Sequence, residues 1–108
     1  MTKKTKLNDS SENADTLKVR LDKWLWAARF YKTRAIAREM VQGGKVHYNG
    51  QRSKASKIVE IGAVIKLAQG VDEKTVTVLN ILEKRQSAPI AQTLYQESDA
   101  SIAKREEN

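Results

Sequence analysis

The dipeptide Asn49-Gly50 is the sequence feature that most constrains the fold of this chain. It lies between two short strand-like runs, residues 45–48 and residues 51–54. A two-residue turn between antiparallel strands needs positive φ at both central positions, and Asn-Gly meets this requirement well. Asn49 is therefore expected to be a turn residue rather than a ligand contact. The turn also fixes the register and predicts four cross-strand pairs: Tyr48 with Gln51, His47 with Arg52, Val46 with Ser53, and Lys45 with Lys54.

Two short amphipathic helices precede the predicted hairpin. Apolar residues recur at helical spacing from Leu21 to Ala28, and this helix is expected to end near residues 30–32. Thr33 is a suitable N-cap for a second helix, and Gly43-Gly44 provides a left-handed exit at its C-terminus. Because the connection is only three or four residues long, the two helices are expected to form an antiparallel pair.

The rest of the chain predicts a small sheet followed by helical structure. Strands are expected at residues 64–67 and 75–81, with turns at residues 60–63 and 70–73. Pro89 is suited to the first turn of a helix, and Ser98 or Asp99 could cap a last one. The predicted fold is α+β, a helix hairpin packed on a small twisted antiparallel sheet, with one or two C-terminal helices. We predict a disordered polar arm over residues 1–16, a folded domain over 17–82 and a helical extension over 83–108.

The positive charge of the chain is concentrated in one segment. The 108 residues have a formal net charge of +7, yet residues 17–57 alone contain eleven basic and two acidic residues. Residues 1–16 contain three basic and three acidic residues, and residues 58–108 contain six basic and eight acidic residues. A local excess of this kind indicates a polyanionic partner, nucleic acid or an anionic membrane surface.

The arrangement of these cations is costly unless they bind something. Arg34 and Arg38 are four residues apart on one helix face, where like charges repel. The hairpin would place Lys45, His47, Arg52 and Lys54 together on one strand face. A solvated helix face is the alternative interpretation for the arginine pair alone. The two sets together favour one concave surface for a phosphate backbone, and about six phosphate contacts would give a log–log salt slope of roughly −4 to −5.

Several other site classes have little support in the sequence. Cysteine is absent and His47 is the single histidine, so no metal site or cofactor is expected. The N-terminal residues include no apolar run, no transmembrane segment is expected, and we expect a cytoplasmic protein. Trp24 is expected in the core, while Trp26, Phe30 and Tyr31 could either pack or stack on an unpaired base.

One long run resembles a known family. Residues 20–54 read RLDKWLWAARFYKTRAIAREMVQGGKVHYNGQRSK. This run resembles the αL RNA-binding motif of ribosomal protein S-four, some pseudouridine synthases and bacterial tyrosyl-tRNA synthetases, and it is most similar to the ribosome-associated heat shock protein 15 family. The resemblance covers roughly residues 18–67, where the helix-to-hairpin spacing, Gly-Gly and Asn-Gly coincide, and it is weaker beyond Leu67.

The resemblance implies RNA binding between the second helix and the hairpin. It further implies contact with ribosomal RNA on free large ribosomal subunits that carry a nascent chain on tRNA, in the rescue of stalled subunits. The family's RNA-contacting positions correspond to Arg20, Arg29, Lys32, Thr33, Arg34, Arg38, Lys45, Arg52 and Lys57, and the charge argument adds His47 and Lys54. The resemblance also implies a Lys- and Arg-rich C-terminal tail, whereas this sequence ends with Ala-Lys-Arg-Glu-Glu-Asn108. Either the tail lies outside the sequence given or this member of the family has none, so the resemblance leaves open how tightly this chain holds the ribosome.

Three alternatives stay open at this point. Arg20-Leu21-Asp22 is similar to the sequence around the catalytic aspartate of some pseudouridine synthases, but Asp22 here opens a helix and no catalytic domain follows. We therefore expect no enzymatic activity. Nonspecific RNA or DNA binding is a second alternative, because phosphates are common to both polymers. Membrane binding is the third and is not expected, since the apolar stripes are needed for the core. The chain is expected to be a monomer.

Overall fold

The computed structural model describes residues 18–107 as four helices and a five-stranded antiparallel sheet. The predicted arm over residues 1–16 lies outside the described residues. The helices and strands, in chain order, are α1 Leu21–Ala27, α2 Arg34–Gln42, β1 Val46–Tyr48, β2 Gln51–Arg52, β3 Val64–Gln69, β4 Asp72–Val78, α3 Ala88–Ala91, β5 Tyr95–Glu97 and α4 Asp99–Glu107.

The helix pair forms as predicted. Helix α1 ends at Ala27, somewhat earlier than expected, and Arg29 then adopts a positive φ of 66° that turns the chain. The Thr33 hydroxyl accepts a hydrogen bond from the backbone N–H of Ile36, so Thr33 is the N-cap of α2. At the other end of α2, Gly44 has a φ of +79°, which confirms the left-handed exit.

The hairpin also forms at Asn49-Gly50. Both residues have positive φ, 52° and 82°, and the pairs His47 with Arg52 and Tyr48 with Gln51 are present. The Asn49 side chain accepts a hydrogen bond from the backbone N–H of Val64 at 2.8 Å, so it connects the turn to β3. Asn49 is therefore a structural turn residue, as expected.

The second hairpin strand is shorter than predicted. β2 ends at Arg52, so the predicted pairs of Val46 with Ser53 and Lys45 with Lys54 are wrong. The chain leaves the sheet edge here because its next carbonyl groups bond to the first turn of α1. Ala55 O accepts from the backbone N–H of Asp22, and Lys57 O accepts from that of Leu21. These bonds satisfy helix N–H groups that have no partner within a helix.

The remaining strands shift relative to the sequence prediction. β3 and β4 pair from Val64 with Thr77 to Gln69 with Asp72, so the turn between them is the two residues Gly70 and Val71 rather than residues 70–73. Strand β4 consequently covers residues 72–78, whereas the sequence predicts a strand over residues 75–81. The strand order of the sheet is β2-β1-β3-β4-β5.

The C-terminal segment contributes more than helices. Pro89 lies in the first turn of α3, and the Ser98 hydroxyl accepts from the backbone N–H of Ser101 at the start of α4, as the sequence predicts. The amphipathic pattern that reached Tyr95 is not a continuous helix, however. Tyr95 instead begins β5 and pairs with Val78 of β4. The segment after residue 82 is therefore partly integrated into the sheet.

The core lies between the two N-terminal helices and one face of the sheet. Trp24 is fully buried, and its indole N–H donates to Asn80 O at 3.0 Å, which connects α1 to the end of β4. Ile65 and Val76 point inward from the sheet. This packing fixes the position of α1 and α2 relative to the hairpin, which determines the surface described below.

Candidate nucleic-acid interface

The first part of the site is a group of three charged residues at the start of the two helices. Arg20 donates two hydrogen bonds to the Asp22 carboxylate, from Nε to Oδ1 at 3.2 Å and from Nη2 to Oδ2 at 3.1 Å. Arg34 Nη2 lies 3.9 Å from Asp22 Oδ1. The Asp22 side chain is 4% exposed, whereas those of Arg20 and Arg34 are 45% and 46% exposed. Arg38, one turn along α2, lines the same depression as these two arginines.

The second part is the loop that follows β2. This loop bonds to the N-terminal turn of α1, and Val59 N–H donates to Val19 O. The loop therefore brings Lys54 beside Arg20, where both line a second depression together with Gln42 and Ser53. Sequence position alone would not bring Lys54 close to Arg20, because the chain first passes through both helices and the hairpin.

The third part lies along the hairpin. A third depression is lined by Arg52, Lys54 and Lys57 with neighbouring polar residues. The three depressions adjoin, because Arg20 lines both the first and the second, and Lys54 lines both the second and the third. We call this continuous surface the basic groove, defined by its six cations: Arg20, Arg34, Arg38, Arg52, Lys54 and Lys57.

Arg52 connects the hairpin to α2 within the basic groove. Its Nη2 donates to Gln42 O at 2.8 Å, at the C-terminal end of the helix. A cation at that position satisfies a free carbonyl group and interacts favourably with the helix dipole. A Cβ atom at Gly44 would lie 3.5 Å from the Arg52 guanidinium carbon, an ordinary van der Waals distance, so the guanidinium packs beside the Gly44 backbone. Arg52 is thus held in place while it lines the groove.

Lys57 is oriented by an aromatic ring. Its Nζ lies 5.3 Å from the centre of the Tyr48 ring, a cation–π distance. The Tyr48 hydroxyl in turn accepts a hydrogen bond from the backbone N–H of Glu60. Burial is the main cause that raises the pKa of Tyr48 above the usual tyrosine value. The ring therefore stays neutral at physiological pH and supports the ammonium group.

Asp22 offsets only part of the positive charge of the groove. Its carboxylate is shared by Arg20 and Arg34. Among the side chains that the structure describes, no carboxylate lies within ion-pair distance of Arg38 or of the three hairpin-side cations of the groove. Six cations less one carboxylate leave a net charge of about five on this surface. The groove therefore attracts anions, and its arginines suit the planar, two-point recognition of phosphate.

Five predicted contact residues do not line the basic groove. Arg29 and Lys32 lie at the corner between α1 and α2 and contact the C-terminal segment: Arg29 Nη1 donates to Gln86 O at 3.1 Å, and Lys32 O accepts from Arg85 at 2.7 Å. The hydroxyl of Thr33 is used for capping. Lys45 and His47 do not line the depressions, and His47 pairs with Lys66 of β3 on the side opposite Arg52.

The aromatic residues whose roles were left open are mainly structural. Phe30 and Tyr31 are 4% and 7% exposed, and the Tyr31 hydroxyl donates to Ala68 O. Burial raises the pKa of Tyr31 to about 12. Trp26 is half-buried, and the Arg85 guanidinium lies 5.9 Å from its ring centre. Base stacking by Phe30 or Tyr31 would require these rings to leave the core.

Sequence reasoning missed the role of Asp22 in the site. An Arg-x-Asp spacing at a helix start indicates a favourable interaction with the helix dipole, but it does not show that the carboxylate is buried. Within residues 18–107, no cluster of three or more potential metal ligands is present and no helix is long and apolar enough to span a membrane.

Comparisons with known proteins agree with this geometry. The S4 domain family matches residues 19–65, which contain the complete basic groove. The chain is 64% identical to the heat shock protein 15 homolog of Aeromonas salmonicida over 86% of this chain and 70% of the relative. It is 33% identical to the RQC P-site tRNA stabilizing factor of Halalkalibacterium halodurans over 72% of this chain and 88% of that protein.

A solved structure supports the same assignment. The structure of heat shock protein 15 from Vibrio cholerae, described as trimeric, matches with a TM-score of 0.83 and 66% identity, covering 85% of this chain and 93% of that one. The monomer expected for this chain stays a prediction. The α+β fold predicted from the sequence is confirmed, and the matched region is an RNA-binding domain. From its sequence, its fold and its groove, the chain belongs to the heat shock protein 15 family.

Proposed function

We propose that this protein binds structured ribosomal RNA on the large ribosomal subunit through the basic groove. The observation that carries the proposal is the groove itself. Three adjoining depressions bring together six cations from α1, α2, the hairpin and the following loop, and one carboxylate offsets them. Repulsion among these cations costs stability, and a polyanion placed in the groove would convert it into attraction.

The lining of the basic groove favours a folded RNA over an extended strand. A single strand is usually held by exposed aromatic rings that stack on its bases. Here Phe30 and Tyr31 are in the core, and Tyr48 is buried beneath Lys57. The groove therefore offers guanidinium and ammonium donors to phosphate and ribose oxygens, which is the typical recognition of RNA by shape.

The physiological target in this proposal is the free large subunit that still carries a nascent chain on tRNA. Membership of the heat shock protein 15 family supports a role during heat stress, and the related tRNA-stabilizing factor supports contact with peptidyl-tRNA. The protein would then act in the cytoplasm, where its target is present. In this view it rescues or recycles stalled subunits without catalysing a reaction.

A competition experiment tests the selectivity in this proposal. Labelled large-subunit rRNA fragments would be bound by the protein at physiological salt and then displaced by unlabelled structured rRNA or by duplex DNA of equal phosphate content. We expect the rRNA to displace the label at a concentration at least about tenfold lower than the DNA requires, a difference of roughly 1.4 kcal/mol. Equal displacement would instead support the alternative, nonspecific nucleic-acid binding.

Crosslinking tests the proposed target directly. The protein would be crosslinked to free large subunits, to free large subunits with bound peptidyl-tRNA and to complete ribosomes, and the RNA positions would be mapped. We expect crosslinks from the basic groove, strongest on free large subunits that carry peptidyl-tRNA. Crosslinks of equal yield on all three particles would contradict the proposed target while leaving RNA binding intact.

A further inference from the structure

The carboxylate of Asp22 is an unusual component of a surface that attracts anions. It lies beneath the groove, 4% exposed, and would repel a phosphate placed above it. Glu39 of α2, by comparison, is exposed to solvent. A buried carboxylate is stable only when charged or hydrogen-bonding partners compensate for its lost hydration. Both compensating partners of Asp22 are cations of the basic groove.

The contacts leave most hydrogen-bond donors of these arginines available. Arg20 uses Nε and one N–H of Nη2 for the carboxylate, so three of its five N–H groups remain. Arg34 approaches at 3.9 Å, an ion-pair distance without a formal hydrogen bond. The two side chains are also nearly half-exposed. Asp22 thus accepts two hydrogen bonds from Arg20 and lies at ion-pair distance from Arg34, while both arginines line the basic groove.

The position of the carboxylate is itself fixed by the backbone. The N–H of Asp22 donates to Ala55 O at 3.2 Å, and that of Leu21 donates to Lys57 O at 2.7 Å. The same two bonds hold the loop that carries Lys54. The first turn of α1, which carries the carboxylate, is therefore anchored to the loop that completes the groove.

We propose that Asp22 is a positioning residue for RNA binding: it orders Arg20 and Arg34 in the free protein, so that both point into the groove before RNA arrives. This proposal rests on the function proposed above. An arginine that is already ordered loses less conformational entropy on binding than a mobile one. Asp22 would increase RNA affinity in this way although its own charge opposes RNA.

The effect of neutralising Asp22 distinguishes positioning from simple electrostatics. If charge alone mattered, Asp22→Asn would tighten RNA binding, because the net charge of the groove rises by one. If Asp22 positions the arginines, the same variant weakens binding. We expect roughly tenfold weaker binding to a large-subunit rRNA fragment, because two mobile arginine side chains would then lose conformational entropy when the RNA binds.

Glu39→Gln is the matched control, since it removes the same charge from an exposed position next to Arg38. We expect it to leave affinity unchanged or to raise it slightly. The positioning role is wrong if Asp22→Asn binds RNA as tightly as Glu39→Gln does. A thermodynamic cycle is completed by introducing Asp22→Asn into the double variant Arg20→Ala, Arg34→Ala. In that background we expect no further loss of RNA affinity. An equal loss in that background would mean that Asp22 does not act through these arginines.

A measurement on the unaltered protein covers the case in which Asp22→Asn does not fold. NMR relaxation of the arginine Nε–Hε groups reports side-chain order in the free state. We expect Arg20 and Arg34 to be more ordered than Arg38, which has no carboxylate partner among the described residues. Equal disorder in all three would refute the proposal. The comparison needs no RNA, so its outcome is independent of whether the proposed ribosomal target is correct.

Discussion

Replacing both α2 arginines of the basic groove should change the salt dependence of RNA binding by a calculable amount. The groove has six cations and one buried carboxylate, hence about five net charges available to phosphates. Each neutralised phosphate contributes roughly 0.7 to 0.9 to the log–log slope, so the unaltered protein should show a slope of about −3.5 to −4.5. Affinity would then fall about 250-fold between 50 and 200 mM salt. This slope is slightly shallower than expected from six unopposed cations.

The variant Arg34→Ala, Arg38→Ala leaves about three net charges. Its slope should be about −2 to −2.7, and its affinity should fall only about 30-fold over the same salt range. Fluorescence anisotropy with a labelled rRNA fragment at five or more salt concentrations measures both slopes. Urea unfolding of the same variant should show at most a modest loss of stability, because both side chains are exposed and Arg20 still donates two hydrogen bonds to the buried Asp22 carboxylate.

A matched control removes two cations elsewhere. Lys66 lies on β3 and Lys104 on α4, and neither lines the groove. Lys66→Ala, Lys104→Ala should keep the steeper slope, since charges that contact no phosphate release no counterions. An equal change of slope in both double variants would refute a role of the basic groove, because total charge would then determine binding.

Three further variants test how the groove is supported. Thr33→Ala removes the α2 N-cap and should lower the free energy of unfolding by about 1 kcal/mol in urea titrations, whereas Thr33→Ser should retain it; equal loss would contradict capping. Gly44→Ala places a side chain at a φ of +79° and should cost about 1 to 2 kcal/mol in the same assay; unchanged stability would show that the turn relaxes. Burial raises the pKa of Tyr31 from the ordinary value of 10.0, which the unfolded chain retains, to about 12 in the folded protein. Stability should therefore be full below pH 10 and decline up to pH 12, and Tyr31→Phe should reduce that decline.

Local features of the fold could be predicted from the sequence because their causes are local. Asn49-Gly50 satisfies the positive φ of the hairpin turn, and the Thr33 hydroxyl caps the helix that begins at the next residue. The strand beginning at Tyr95 was not predicted. Its pattern resembles a helix continuing from Pro89, and pairing with Val78 decides otherwise.

The candidate site was predicted in part. Arg34 and Arg38 could be placed on one helix face from their spacing, and the groove contains both. Lys54 was assigned to a hairpin strand, but the structure places it in the loop beside Arg20. That difference arises because the carbonyl groups of Ala55 and Lys57 accept hydrogen bonds from the first backbone N–H groups of α1, a requirement between segments far apart in the chain. Whether each residue contacts RNA stays a prediction.

The sequence by itself determined the helix pair, the turn between β1 and β2 and the concentration of positive charge, since these depend on residues close together in the chain. Only the tertiary structure decided which cations share one surface and where Asp22 lies among them. The physical reason is that burial and hydrogen bonding between distant segments set those positions. The loop carrying Lys54 and Lys57 is hydrogen-bonded through its carbonyl groups to the start of α1. Nothing in the local sequence of the loop specifies these backbone N–H groups as its partners.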